Sequence, residues 1–110
     1  IPTDEGLIPG SGAIIRAVAG VAERDPDRVL GKPDEYAQTL ALDYLGVPAA
    51  DCLVVGDRLN TDIALGARAG MTTVLVRTGV TDEKTLNASN VRPDYVLDSI
   101  ADIEQVLDDR

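Results

Sequence analysis

Hydrophobic positions along the chain follow two periods, one typical of helices and one typical of buried strands. Apolar residues recur at helical spacing between Gly, Pro and capping residues, which predicts helices over 11–24, 33–45, 60–70, 81–88 and 99–107. Short runs of Val, Ile, Leu and Thr lie between these segments and predict strands over 28–30, 52–55, 72–76 and 94–97. Residues 1–9 are punctuated by Pro and Gly and are predicted to be a connector.

The regular alternation of strands and helices predicts an α/β fold. Such a pattern gives a parallel sheet with right-handed crossovers and helices on both of its faces. A length of 110 residues suffices for one small domain, 1–110, but not for two. The apolar runs all fall short of the ~20 residues that a membrane span needs.

The sharpest local motif is a strand that ends in Gly56-Asp57, with Asp62 five residues later where a helix is expected to start at Asn60 or Thr61. Ligands of open α/β sheets bind beyond the carboxyl ends of the strands. Gly56 is predicted to permit a tight turn there. Two carboxylates so placed can hold Mg²⁺ together with its waters and a phosphate oxygen. The alternative is a turn residue at Asp57 and an ordinary first-turn helix aspartate at Asp62.

A second motif is Gly31-Lys32-Pro33, with Pro33 expected at the first position of the next helix. A lysine before a helix places an ammonium beside backbone N–H groups that already favour anions. Lys32 is therefore a candidate phosphate ligand, and its alternative is a solvated surface lysine.

Composition excludes some classes of function. The net charge of −9 argues against a nucleic-acid surface. Cys52 has no second cysteine to pair with, which suits a reducing cytoplasm and a buried, inert thiol. The opening residues show no signal peptide. The acidic composition, with two lysines against eight arginines, suggests a halophilic source, which unfolding measured against KCl concentration would test.

Taken together, the two motifs resemble the C-terminal half of the haloacid-dehalogenase (HAD) superfamily core, with its lysine followed by an apolar strand ending Gly-Asp-x-x-x-x-Asp. Further segments are similar to the nitrophenylphosphatase/NagD-like branch: 8–12 before the first helix, 31–33, 61–63, 69–70 and 78–81. The resemblance covers essentially the whole chain. It implies a partial Rossmann-like, three-layer sandwich that lacks the N-terminal strands and the cap domain.

The resemblance also implies a chemistry, the hydrolysis of phosphate monoesters through an aspartyl-phosphate with the help of Mg²⁺. By position, Asp57 would ligate Mg²⁺ and Asp62 would hold a metal-bound water or orient its neighbours. Lys32 would contact the phosphate and the nucleophile. Gly56, Asn60 and Arg58 would lie next to these ligands without binding the metal or the phosphate directly.

The family's first two motifs, including the nucleophilic Asp-x-Asp, are not visible. Asp25-Pro26-Asp27 follows a polar helical segment instead of a buried strand, so we reject it as the nucleophile. We therefore expect a fragment that is inactive alone, with no cap to indicate the substrate. The strand at 52–55 would have an open edge, which a second copy or a neighbouring chain is expected to cover.

Two other classes of function stay open. The chain could be a non-catalytic Rossmann-like module that acts by association with a partner chain. A receiver-type regulatory domain also uses aspartates and a lysine, but there the acidic pair comes before the lysine, the reverse of the order here.

Overall fold

The main sheet has three parallel strands, which lie side by side in their order along the chain. This arrangement comes from a computed structural model, which describes residues 1–109. The strands are β1 (Pro2–Thr3), β2 (Gly6–Leu7), β3 (Leu53–Gly56), β4 (Thr72–Val76) and β5 (Tyr95–Leu97). The helices are α1 (Ser11–Ala22), α2 (Glu35–Leu45), α3 (Ala64–Ala69), α4 (Glu83–Ala88) and α5 (Glu104–Asp108). A π-helical turn at Leu59–Ile63 leads into α3, and 3₁₀ turns cover Ala49–Asp51 and Ile100–Asp102.

The β-branched run of β4 forms the centre of the sheet because it pairs with a strand on each side. Its side chains alternate between the two faces, as they must in a strand. Val74 and Val76 pack with Val106 of α5, whereas Leu75 packs on the other face with Ile63 and Leu86. Helices thus cover both faces, which confirms the predicted three-layer α/β fold.

A third apolar cluster joins α2 to α3 and to the amino ends of β3 and β4. Cys52, Leu65 and Met71 are buried there against Ala37 and Leu42 of α2. The Cys52 thiol donates a hydrogen bond to the carbonyl oxygen of Pro48 at 3.4 Å, so the prediction of a buried thiol is confirmed. This packing fixes α2, and with it the segment that carries Lys32, against α3.

Most helix positions were predicted well, but two helix starts were wrong. Pro33 lies before α2, because Asp34 is the N-cap and accepts a hydrogen bond from the backbone N–H of Tyr36. Neither Asn60 nor Thr61 caps the helix after β3. The helical turn there follows Arg58, whose N–H donates a hydrogen bond to the Asp62 carboxylate.

Two further elements differ from the prediction. Residues 28–30 form no strand, since no described strand lies beside them to accept their backbone hydrogen bonds, and Val29 and Leu30 are exposed. The predicted connector instead contains an antiparallel hairpin of β1 and β2, in which Gly6 has a φ of 123° and Thr3 donates its hydroxyl to the carbonyl of Gly6.

The described chain leaves a large apolar surface uncovered. α1 contains no buried residue, and Ile14, Val18 and Val21 are 64%, 64% and 89% exposed. An open cavity of about 450 Å³ lies between this helix and Pro26. β3 pairs with β4 along one edge, and its other edge meets no strand of residues 1–109. No helix within 1–109 has the length and apolarity to cross a membrane.

Candidate active site

The candidate site lies where β3 ends. Gly56 is the last residue of the strand, and Asp57 follows it as a half-buried residue. The π-helical turn then returns the chain toward the strand, so that Asp62 is 7% exposed. Both acids predicted from the sequence therefore lie at the carboxyl edge of the sheet.

Gly56 has a different role from the one predicted. Its φ is not positive, so the chain does not need glycine there for a tight turn. A Cβ built at Gly56 would overlap the Cβ, Cγ and Oδ2 atoms of Asp62. The residue at position 56 must lack a side chain because the Asp62 side chain packs directly on the backbone.

Lys32 and Asp62 come together although 30 residues separate them. The Lys32 Nζ atom donates a hydrogen bond of 2.5 Å to Asp62 Oδ1. The backbone N–H of Arg58 donates to the other oxygen, Oδ2, at 3.3 Å. The Asp62 side chain is 10% exposed and that of Lys32 is 56% exposed, so a buried carboxylate holds an ammonium that faces solvent. Both Asp62 oxygens are thus engaged by the protein, and its action on a metal-bound water stays a prediction.

Asp57 is held from the other side by the loop after β4. The backbone N–H of Val80 donates to Asp57 Oδ2 at 3.0 Å, and the Thr81 hydroxyl donates to the Asp57 carbonyl oxygen at 2.6 Å. Residues 78–81 contribute to the family resemblance, but their sequence did not predict a place in the site. The signal that could have found them was their position directly after β4, which neighbours β3.

The two remaining residues of the predicted loop are exposed. The Asn60 side chain makes no hydrogen bond with residues 1–109, so its predicted supporting role stays a prediction. Arg58 lines a cavity of about 740 Å³ beside the loop that holds Asp57. The other lining residues are Ile1, Pro2, Leu7, Thr78, Gly79 and Val80.

The chemistry of these groups fits Mg²⁺. No group of three or more His, Cys, Asp or Glu residues that could hold a metal ion occurs within 1–109. Mg²⁺, however, needs only one or two carboxylates, with waters and a phosphate oxygen completing its octahedron. Oδ1 of Asp57 accepts no hydrogen bond from residues 1–109, so this oxygen is available to a cation.

An ion pair supports the start of α2 just after Lys32. The Arg28 guanidinium donates hydrogen bonds to both oxygens of Asp34, at 2.8 to 3.2 Å. These bonds, and after them the bond from the Tyr36 N–H, lower the pKa of Asp34. The hydrogen bonds to Asp34 in turn raise the pKa of Arg28. The cap thus fixes the chain two residues after Lys32.

The lowered pKa of Asp34 predicts a loss of stability in acid. A carboxyl group with a lowered folded pKa stabilises fully above its unfolded pKa of about 3.9, and this contribution disappears as the pH falls through the folded value. In Asp34→Asn we expect the free energy of unfolding to decrease less steeply with falling pH below about pH 4. Urea unfolding between pH 2 and 6 measures this dependence. Asp43→Asn on the exposed side of α2 is the control, and equal curves for both variants would contradict the prediction.

Comparisons with known proteins identify the family. The model of the HAD-hydrolase-like family matches residues 29–103, which is more than half of the chain. The chain belongs to the HAD-hydrolase-like family. It is 32% identical to the dihydroxyacetone phosphatase of Corynebacterium glutamicum, over 98% of this chain and 39% of that protein.

Solved structures give the same result. The p-nitrophenyl phosphatase from Archaeoglobus fulgidus superposes with a TM-score of 0.82 at 42% identity, over 96% of this chain and 42% of that one. A glycerol phosphate phosphatase from Mycobacterium tuberculosis, solved in complex with calcium, has a TM-score of 0.75 at 38% identity, over 87% and 28% of the two chains. These relatives are phosphatases of the predicted type, which confirms the resemblance. The chain spans about two-fifths of the length of the first curated relatives it matches.

Proposed function

We propose that this chain forms the lysine- and metal-binding part of a Mg²⁺-dependent phosphatase that hydrolyses phosphate monoesters through an aspartyl-phosphate. The contact between Lys32 and Asp62, at the same sheet edge as Asp57, is the observation that carries the proposal. The family membership and the phosphatase names of the relatives support it.

Each residue has a distinct part in the proposed reaction. The ammonium of Lys32, oriented by buried Asp62, binds a phosphoryl oxygen and offsets negative charge as the ester bond breaks. Asp57 holds Mg²⁺ through Oδ1, and the bound ion supplies charge neutralisation at the phosphoryl oxygens. The loop bonds to Asp57 keep this carboxylate at the edge of the sheet.

The attacking aspartate is proposed to come from the part of the fold that these residues do not span. Asp25 and Asp27 lie in the turn after α1, not at a strand end, and Asp27 forms an exposed ion pair with Arg24 at 2.6 Å. The strand that would carry the nucleophile, as the family resemblance implies, is proposed to pair with the open edge of β3.

Transplantation tests the proposal. We expect the 110-residue chain alone to show no Mg²⁺-dependent hydrolysis of p-nitrophenyl phosphate. A chimera, in which the chain replaces the matching part of the Archaeoglobus fulgidus enzyme, is expected to hydrolyse it, because the two share their shape at a TM-score of 0.82. A folded chimera without activity, or an active isolated chain, would contradict the proposal.

The uncovered apolar surface favours an association role as well. We propose that the rest of the phosphatase fold covers the exposed face of α1 and the open edge of β3. The relatives have that additional chain length, and this surface is too apolar to remain in water at no cost. A second copy of the chain is the competing occupant.

Val18→Asp tests whether the rest of the phosphatase fold or a second copy of the chain covers α1. In the isolated chain Val18 is 64% exposed, so the free energy of unfolding should change by less than about 0.5 kcal/mol. In the chimera a buried, unpaired carboxylate should cost about 2 kcal/mol or more. Urea unfolding of both proteins measures the difference, with the exposed Arg16→Asp on the same helix as control. An isolated chain that is dimeric until Val18→Asp makes it monomeric would favour the second copy.

A further inference from the structure

The loop between β4 and α4 fixes Asp57 at two separate points. One contact is made by a side chain, where the Thr81 hydroxyl donates to the backbone carbonyl of Asp57 at 2.6 Å. The other is made by the backbone, where the Val80 N–H donates to Asp57 Oδ2 at 3.0 Å. Because one bond holds the main chain and the other the carboxylate, together they restrict both the position and the rotation of the side chain.

Glycine at position 79 lets the loop approach this closely. A Cβ at Gly79 would overlap the Cβ, Cγ and Oδ2 atoms of Asp57. The φ of Gly79 is not in the left-handed region, so space, and not backbone conformation, requires glycine here. The carboxylate of Asp57 is therefore packed against the loop backbone as well as bonded to it.

Both ends of the loop are anchored to the fold. At one end, the N–H of Arg77 donates to the carbonyl of Leu97 in β5 at 3.0 Å, and its guanidinium pairs with Glu83 and Asp98. At the other end, Asp82 caps α4 by accepting a hydrogen bond from the Thr85 N–H at 2.8 Å. A loop fixed at both ends can orient Asp57 before any ligand arrives.

We propose that Thr81, with Gly79 and the Val80 N–H, forms a clamp that positions Asp57 as a one-oxygen metal ligand. Oδ2 accepts the Val80 N–H, whereas Oδ1 receives no hydrogen bond within 1–109, so Oδ1 would be the oxygen that binds a cation. Thr81 acts through Asp57 and touches neither metal nor substrate. The inference rests on the proposed function for the identity of the ligand, but the clamp itself is a property of this chain.

Hydrogen exchange and metal binding of the 110-residue chain test the clamp. In Thr81→Val, which removes the hydroxyl and keeps the shape, we expect the Val80 amide to exchange at least about 10-fold faster by NMR. We also expect Mn²⁺, used as a probe for Mg²⁺, to bind about 10- to 100-fold more weakly by calorimetry, the usual effect of losing a group that orients a ligand. Thr81→Ser keeps the hydroxyl and should restore both values.

The control is Thr78→Val, which removes the hydroxyl of an exposed residue three positions earlier. The Thr78 side chain makes no hydrogen bond to Asp57. Unprotected exchange at Val80 in the unmodified chain, or a Thr81→Val variant that equals Thr78→Val in both measurements, would overturn the clamp. If the unmodified chain binds no Mn²⁺ while exchange at Val80 responds as expected, the proposed metal function fails and the positioning of Asp57 by Thr81 stands. Thermal unfolding of each variant separates a local effect from loss of the fold.

Discussion

Asp57→Asn should lower the Mg²⁺-dependent kcat/KM of the chimera for p-nitrophenyl phosphate by at least about 100-fold. A bound metal ion contributes several kcal/mol of charge stabilisation to the transition state, and each ~1.4 kcal/mol is a factor of ten in rate. The amide removes the negative charge that attracts the cation. It still offers an oxygen to the Val80 N–H, so the contact that holds the side chain in place can persist.

Asp51→Asn is the matched control for this experiment. Asp51 ends the 3₁₀ turn at the opposite, amino end of β3, and its side chain is exposed. The same chemical change there should leave kcat/KM within about twofold, because surface substitutions away from a site rarely matter. If Asp57→Asn retained most of the activity and its activation by Mg²⁺, Asp57 would not be the metal ligand.

The strands and helices that build the core were predictable because each carries its own signal. β4 is rich in β-branched residues, α2 ends at Leu45 as predicted, and Ser99, where the final helix was expected to begin, caps the 3₁₀ turn that leads into α5. The hairpin of β1 and β2 was missed because strands of two residues are too short for a period to show. The strand expected at 28–30 failed because an apolar triplet does not form a strand unless a neighbour accepts its hydrogen bonds.

The candidate site, too, was predictable only in part. Gly56, Asp57 and Asp62 are close in sequence, so a local motif reveals them. The contacts that orient them come from distant parts of the chain: Lys32 is 30 residues from Asp62, and Thr81 is 24 residues from Asp57. No local period predicts a hydroxyl that reaches a carbonyl just beyond the end of a neighbouring strand. The Gly31-Lys32-Pro33 motif and the family resemblance both indicated Lys32, whereas neither gave Thr81 a role in the site.

Gly56→Ala is expected to destabilise the chain strongly. The new Cβ would overlap the Cβ, Cγ and Oδ2 atoms of Asp62, a residue that is only 7% exposed. Overpacking of this kind costs about 1–3 kcal/mol. Displacement of Asp62 also weakens its charge-assisted bond to Lys32, which contributes about 1 kcal/mol because the Lys32 side chain is 56% exposed. Urea unfolding of the chain measures the sum.

Gly20→Ala provides the control, because a Cβ at Gly20 in α1 meets no atom within 4 Å. This change should leave stability equal or raise it by about 0.5–1 kcal/mol, the usual gain from replacing glycine inside a helix.

A double-mutant cycle then identifies the cause of the loss in Gly56→Ala. If the added methyl group already displaces Asp62, then Lys32→Met should cost about 1 kcal/mol or more in the unmodified chain and much less in the Gly56→Ala background, since the two changes break the same contact. Additive effects would mean that Asp62 keeps its bond to Lys32 without glycine beneath it, and the packing explanation of the Gly-Asp motif would then be wrong.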